Sequence, residues 1–255
     1  MKTSSMKDNK LIFISIILII LLWGVLANVI NNDIYLPRIN KVLKEIVVIV
    51  IKNDFIKNIG YSLLRGGASF FIALVLAIFL GIVSGFNKIA YNFFYPINSI
   101  LKSIPTIAFI LIALIWVNKN YAPYLIGIVI AFPILYESVI NSILNSNKNL
   151  EEMMNSFNLG FLTKLFNLHI QFIIISISQI ATSVFSLVFK VVIAGEVFGQ
   201  PNYGIGTAIQ KEKINFSTSG IFAWIIIVAV LCFIIDKIIL LFINKSLKGG
   251  RYLID

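Results

Sequence analysis

The sequence of 255 residues contains one cysteine, one histidine and only 11 acidic residues. The single cysteine, Cys232, excludes an internal disulfide, and within its apolar run we expect it to be inert packing. The single histidine, His169, has no second histidine or cysteine nearby, which argues against a metal site. Charged residues make up 13% of the chain, whereas ordinary soluble domains contain about 25%. The composition therefore indicates a membrane protein.

Motifs of direct catalysis are also missing. The pattern G-x-x-x-x-G-K-[ST] does not occur, so the chain has no P-loop of its own for holding ATP. The only histidine, His169, lies in a loop between spans, so a catalytic triad of nucleophile, histidine and acid is not expected. The lone Gly-x-Gly of NYGIGTA lacks a third glycine and a preceding strand, and predicts a turn between spans. The net charge of +10 comes without a basic–aromatic stripe, which favours contact with lipid headgroups over nucleic acid.

Long apolar runs are what the sequence does contain. A helix needs about 20 residues to cross a bilayer, and the runs predict one all-α membrane domain over residues 1–255 with about six spans. The first run is longer than the apolar core of about 7–15 residues in a signal peptide, so we predict that it is retained. The predicted spans cover approximately residues 11–30, 64–86, 96–118, 121–144, 171–198 and 220–243.

Shorter patterns add detail. Residues 41–59 have an apolar stripe interrupted by charges, which predicts a helix lying on the membrane surface. Gly81 and Gly85 lie four residues apart, a spacing that permits close contact between helix backbones. Prolines in or beside the third and fourth spans, among them Pro105 and Pro133, favour kinks.

A polar segment at 145–170 separates the fourth and fifth predicted spans. Its apolar residues follow the spacing of one helix face, and they are Leu150, Met153, Met154, Phe157 and Phe161. Glu151 and Glu152 lie at the start of this helix, where the macrodipole favours negative charge. Asn158 can end it in the left-handed C′ position, and Gly160 can open a second short helix with Leu162, Leu165 and Phe166 on its apolar face. The segment is either an amphipathic loop on lipid or a surface that docks another protein.

Ionisable and polar residues inside the spans are candidates for a translocation pathway, since such groups usually face a bundle interior or water. Lys190 could attract an anionic solute, or it could snorkel to headgroups or pair with a neighbouring helix. The roles of Glu137 and Glu196, functional or structural, are likewise left open by the sequence. The fifth span is the most polar, so we predict that Gln179 and Ser183 line the pathway together with these three charged residues.

The segment after Asn149 resembles the E-A-A-x-x-x-G loop of permease subunits of binding-protein-dependent ABC importers. Glu152, Met153, Met154 and Asn158 fall on its E, A, A and G positions, and Gln171 stands near the usual proline. Nearly the whole chain is similar to the nitrate/sulfonate/taurine group of these permeases. The similarity is carried in order by YSLLRGGASFFIALVLAIFLGIVSGF, YPINSILKSIPTIAFILIALIWV, FPILYESV, KVVIAGEVFGQPNYGIGTAIQ and FSTSGIFAWIIIVAVLCFIIDKI.

The resemblance implies a type I importer permease that works as a dimer, with a homodimer expected. It implies an ABC ATPase partner that holds ATP and Mg, and an extracytoplasmic solute-binding protein. The ATPase-coupling residues implied are Glu152, Met153, Met154, Phe157, Asn158, Gly160 and Phe161. Six spans place both termini and the 145–170 loop on one side, which we expect to be the cytoplasmic side of the cell membrane. Lysines and arginines divide almost equally between the two sides, so charge alone favours this orientation only slightly.

The resemblance does not identify the solute. A small anion or organic solute such as nitrate, a sulfonate or taurine is expected, and a thiamine-precursor pyrimidine is the alternative. Two other classes of protein stay open at this point. A membrane-embedded enzyme is disfavoured because the spans hold few clustered acids, histidines or cysteines, and the other class is a membrane scaffold that transports nothing.

Overall fold

The computed structural model describes residues 9–248, and the predicted cytoplasmic termini, 1–8 and 249–255, lie outside the described residues. The described part is all-α, as predicted. Its helices are α1 (Asn9–Ile30), α2 (Ile39–Ile51), α3 (Phe55–Phe86), α4 (Lys88–Ser103), α5 (Thr106–Trp116), α6 (Ala122–Leu144), α7 (Lys148–Ser156), α8 (Phe161–Lys164), α9 (Ile170–Gly199), α10 (Ile205–Ile214) and α11 (Thr218–Lys248). A π-helical turn, Leu165–His169, joins α8 to α9.

Five helical stretches of the described chain are long and apolar enough to cross a membrane. They are Phe13–Ile30, Phe55–Phe86, Ala122–Leu144, Phe161–Gly199 and Thr218–Ile243. The second and fourth begin about three turns before the predicted starts at 64 and 171. The prediction counted only uncharged residues, whereas a helix continues through the polar boundary of a membrane. The pair α4 and α5 makes a sixth span if the two are counted together.

The third predicted span is broken. The axes of α4 and α5 differ in direction by 103°. Ile104 between them is extended, with φ −68° and ψ 126°, and Pro105 caps α5. A proline disfavours helical geometry in the residue before it and donates no backbone hydrogen bond. Pro133, in contrast, lies inside the uninterrupted α6.

One compact unit contains residues 9–55 and 208–230 of the described chain. Within it, a helix forms in the region of the predicted surface helix but ends at Ile51, and α3 begins a separate helix at Phe55. Its position at the membrane surface stays a prediction. Val42 and Ile49 of the predicted stripe are buried. The Trp23 indole donates a hydrogen bond to the Pro37 carbonyl at 3.1 Å.

The connector before α2 carries an exposed ion pair. Lys41 Nζ donates to Asp33 Oδ2 at 2.5 Å, and this hydrogen bond lowers the pKa of the Asp33 carboxyl below its ordinary value. Both side chains are largely accessible to water, so the pair contributes little to stability.

The second unit contains residues 56–207 and 231–248 of the described chain, and its core lies where α3, α6 and α9 meet. Small residues allow this close packing. A Cβ at Gly81 would lie 2.6 Å from Val139 Cγ1, and one at Gly85 would lie 2.6 Å from Ile143 Cδ1. The prediction that these two glycines permit close helix contact is therefore confirmed. The main cluster of buried core residues consists of Ala73, Ala77, Ala131, Leu135, Tyr136, Ile140, Val184, Val188 and Val192.

Candidate functional site

The segment between α6 and α9 has two well-defined helix ends. The Asn147 side chain caps α7 by accepting a hydrogen bond from the Asn149 amide at 3.0 Å. At the other end, Asn158 has φ +53°, as predicted for a left-handed C′ residue. The Leu159 amide donates to the Met154 carbonyl, and the Asn158 amide donates to the Asn155 carbonyl. These two bonds form a Schellman motif, so the turn after α7 has a fixed geometry.

Most of the predicted apolar stripe is exposed. Met153 is 50% exposed, Phe157 71% and Phe161 55%, whereas Met154 is only 8% exposed. Met154 therefore does not belong to the exposed surface of the single chain, and its contact with a partner stays a prediction. Consecutive residues on a helix point about 100° apart, so one of the two methionines can be buried while the other is accessible. Glu152 is also exposed.

The helix that Gly160 opens is not a separate short helix. Helix α8 continues through the π-helical turn into α9, so one helical stretch runs from Phe161 to Gly199. The Phe161 ring contacts the Phe86 ring edge-on at a centroid distance of 5.1 Å. The imidazole of His169, which is buried, contacts the same ring at 4.8 Å. The turn after α7 is thus joined directly to a long helix of the core.

The left-handed turn gives a testable prediction. Substitution of Asn158 by valine should destabilise the end of α7 by about 1–2 kcal/mol, because a β-branched residue is strained at positive φ. Asn158→Gly should be tolerated. Faster hydrogen exchange at the amides of α7 would report the effect.

Gly160 provides the matched control. Its φ is −63°, and no atom lies within 4 Å of a Cβ built there. Gly160→Ala should therefore leave the exchange of α7 unchanged. Equal exchange in Asn158→Val and Gly160→Ala would contradict the importance of the left-handed turn.

A second polar cluster is almost completely buried within the second unit. Arg65 of α3 and Glu196 of α9 are 3% and 0% exposed, and Arg65 Nη1 donates to Glu196 Oε1 at 2.7 Å. The same nitrogen donates to the Tyr203 carbonyl at 2.7 Å. Ser62 Oγ donates to Glu196 Oε2 at 2.7 Å. Each carboxylate oxygen thus has a strong donor, which is the condition for a buried charge to be tolerated.

The Gly-x-Gly stretch completes this cluster. The Gly206 amide donates to Glu196 Oε2 at 3.0 Å, and the Ile205 amide donates to Ser62 Oγ at 2.8 Å. A Cβ at Gly206 would lie 2.3 Å from the Ile193 carbonyl oxygen, and one at Gly204 would lie 2.6 Å from Glu196 Oε2. The stretch was predicted to be only a turn. It instead brings backbone donors at the start of α10 against a buried carboxylate.

Glu196 was predicted to line a pathway, and in the single chain its carboxylate is buried and hydrogen-bonded, so its role in a pathway stays a prediction. Its side chain is enclosed by Arg65, Ser62 and the backbone of the glycine stretch. Arg65 was not identified as a site residue from the sequence. A signal was present, because Arg65 and Glu196 are lone opposite charges near the ends of two apolar runs, and such charges tend to pair.

The predicted pathway residues of α9 share one accessible side of the helix. Gln179, Ser183 and Lys190 are all exposed. Near them, Ser186 Oγ donates to Asp236 Oδ1 of α11 at 2.8 Å. A cavity of about 340 Å³ lies at this place, and its lining residues are Thr182, Ser183, Ser186, Leu187, Lys190 and Asp236. The sequence did not indicate Asp236 as a site residue.

Glu137 lies elsewhere. Its carboxylate forms an ion pair with Lys102 near the end of α4, and both side chains are about half exposed. Glu137 does not line the cavity at Lys190. The described residues contain no group of three or more side chains suited to hold a metal ion.

The comparisons with known proteins agree with this architecture. The family model described as binding-protein-dependent transport system inner membrane component matches residues 73–247. The chain belongs to this family. It is therefore a multi-pass membrane component of a transport system and not an enzyme by itself.

A stretch of 128 residues is 28% identical to a protein of Methanocaldococcus jannaschii that carries the provisional name of an ABC transporter permease. The match covers 48% of this chain and 48% of that relative. The chain thus spans about half the length of the curated relative that it matches.

Proposed function

We propose that the chain is the permease of an ATP-driven importer, that it works as a dimer of two copies, and that each copy docks its 145–170 loop on a separate ABC ATPase subunit. The termini and this loop lie in the cytoplasm. The ATPase subunits hold ATP and Mg, and an extracytoplasmic solute-binding protein delivers the solute. The observation that carries this proposal is the exposed Met153–Phe157 face of α7 beside a turn of fixed geometry.

The connection of this face to α9 supports coupling. Helical structure continues from Phe161 to Gly199, so a force applied at the turn reaches the span that carries Gln179, Ser183 and Lys190. A π-helical turn at 165–169 interrupts regular α geometry in that helix, and such turns occur often at functional sites. ATP binding would bring the two docked loops together and open the pathway outward, and ATP hydrolysis would reset it.

The solute is a small anion or organic solute such as nitrate, a sulfonate or taurine. The exposed Lys190 on the polar side of α9 supports a solute that carries a negative group. Glu137 and its partner Lys102 are both accessible, and they remain candidates for the wall of the pathway.

The chain co-expressed with its P-loop ATPase should co-purify with it. In nanodiscs, ATP hydrolysis by this complex should be sensitive to vanadate and stimulated by the binding protein.

The membrane orientation of the 145–170 loop is tested by cysteine labelling. Cys232→Ser removes the only cysteine of the chain, and Phe157→Cys then provides a single label site. A membrane-impermeant maleimide should label this site only from the cytoplasmic side. Labelling from the outside, or no association with the ATPase, would overturn the proposal.

A further inference from the structure

We infer that the cavity between α9 and α11 binds a small zwitterionic solute, with Lys190 contacting its anionic group and Asp236 its ammonium group. This inference rests on the proposed transport function, which requires a polar path through the membrane. It narrows the solute from any small anion to a molecule that carries both charges.

Both charged residues lie well inside membrane helices. Asp236 lies near the middle of the 31-residue α11, and Lys190 lies more than two turns before the end of α9. An ionised group at this depth is unfavourable against lipid, so such groups face water, a binding site or another charge. Lys190 is nevertheless exposed on the surface of the chain. Both residues line one cavity, as expected of charged groups that avoid lipid.

The two charges do not neutralise each other directly. The ion pairs of the described residues include neither Lys190 nor Asp236. Asp236 Oδ1 instead accepts the hydrogen bond from Ser186 Oγ. The ammonium of Lys190 and the carboxylate of Asp236 therefore line the same cavity of about 340 Å³ without forming an ion pair with each other.

This charge pattern selects between classes of solute. A simple anion attracted by Lys190 would also meet the carboxylate of Asp236, and a simple cation attracted by Asp236 would meet the ammonium of Lys190. Like charges brought together in a poorly solvated site are strongly unfavourable. A zwitterion satisfies both groups, and Thr182 and Ser183 offer hydroxyl groups for its remaining hydrogen bonds.

The experiment compares three probes of nearly equal size on the purified permease in nanodiscs. They are 2-aminoethanesulfonate, ethanesulfonate and ethylammonium, and saturation-transfer NMR measures their binding. The zwitterion should bind about 10- to 100-fold more tightly than either singly charged probe, because each lacks one charge-assisted hydrogen bond. Asp236→Asn should make ethanesulfonate bind about as well as the zwitterion. Lys190→Gln should do the same for ethylammonium.

Lys237→Gln is the matched control. Lys237 follows Asp236 and is exposed, but its ammonium lies over the Phe233 ring at 5.5 Å and it does not line the cavity. This variant should keep the preference for the zwitterion. Equal binding of all three probes to the unmodified permease would overturn the inference.

Pairing of these two charges between two copies of the chain would also overturn the inference of a zwitterion site. Lys190 of one copy could pair with Asp236 of a second copy. In that case Lys190→Asp and Asp236→Lys would each weaken the dimer, the double variant would restore it, and no probe preference would be seen. ATPase association is measured separately, so a permease that docks normally but does not distinguish the probes would refute only the zwitterion site.

Discussion

Substitution of Glu196 by alanine is expected to destabilise the protein by about 3–5 kcal/mol, because it leaves the buried guanidinium of Arg65 without its carboxylate. Both side chains are almost completely buried in the folded protein, so water should compensate only part of the lost interaction. The variant also leaves the hydroxyl of Ser62 and the amide of Gly206 without an acceptor. Thermal unfolding in detergent, followed by loss of the monodisperse peak in gel filtration, measures the effect.

A double substitution separates the charge from the packing. Replacing a buried ion pair by apolar residues of similar volume is often neutral or even stabilising. Arg65→Met combined with Glu196→Met should therefore be more stable than either single variant. An additive loss of stability in the double variant would contradict the view that an unpaired buried charge is the main cost.

The exposed ion pair of Asp33 and Lys41 serves as the control. Both partners are accessible to water, and Asp33→Ala should leave the unfolding temperature unchanged within error. An unfolding temperature of Glu196→Ala equal to that of Asp33→Ala would show that burial of the Arg65–Glu196 pair has no energetic consequence.

Local rules predicted the local features of this protein. The apolar runs gave the helices, because an apolar stretch of span length has few alternatives in a membrane. Asn158 was placed in the left-handed region on residue type alone, and its φ of +53° confirms this. Pro105 indicated a kink, but the bend of 103° depends on how α4 and α5 pack, which periodicity does not report.

Pairings between distant residues were not predictable in this way. Arg65 and Glu196 are separated by 131 positions, and Ser186 and Asp236 by 50. No helical spacing connects such residues, so only the three-dimensional packing brings them together. The Gly-x-Gly stretch shows the same limit, since its glycines are required by the approach of Ile193 and Glu196 rather than by the turn itself. The burial of Met154 was not predictable either, because a periodic stripe does not define which of its edges is covered.

The second large effect is expected at the exposed face of α7. Met153→Asp combined with Phe157→Asp should lower the affinity for the ATPase subunit at least about 100-fold, since apolar side chains at the centre of an interface contribute about 2 kcal/mol or more each. Uptake of solute should fall to background in the same variant. Both side chains are well exposed, so the substitutions should leave the fold and membrane insertion unchanged. ATPase co-purification and uptake in proteoliposomes are the two measurements.

Phe216→Asp is the matched control for this variant. Phe216 is 81% exposed and lies in the connection before α11, on the side predicted to be extracytoplasmic. Its φ of +54° is a conformation that aspartate tolerates better than phenylalanine, so the substitution should not disturb the fold. Because of its predicted position on the other side of the membrane, the new charge should not affect ATPase association.

If the face of α7 instead rested on lipid, the double variant would change the lipid contacts of the loop but keep the ATPase bound. Normal uptake by Met153→Asp/Phe157→Asp would therefore refute docking at this face, whereas loss of the ATPase with intact insertion would distinguish a docking surface from a lipid-bound loop.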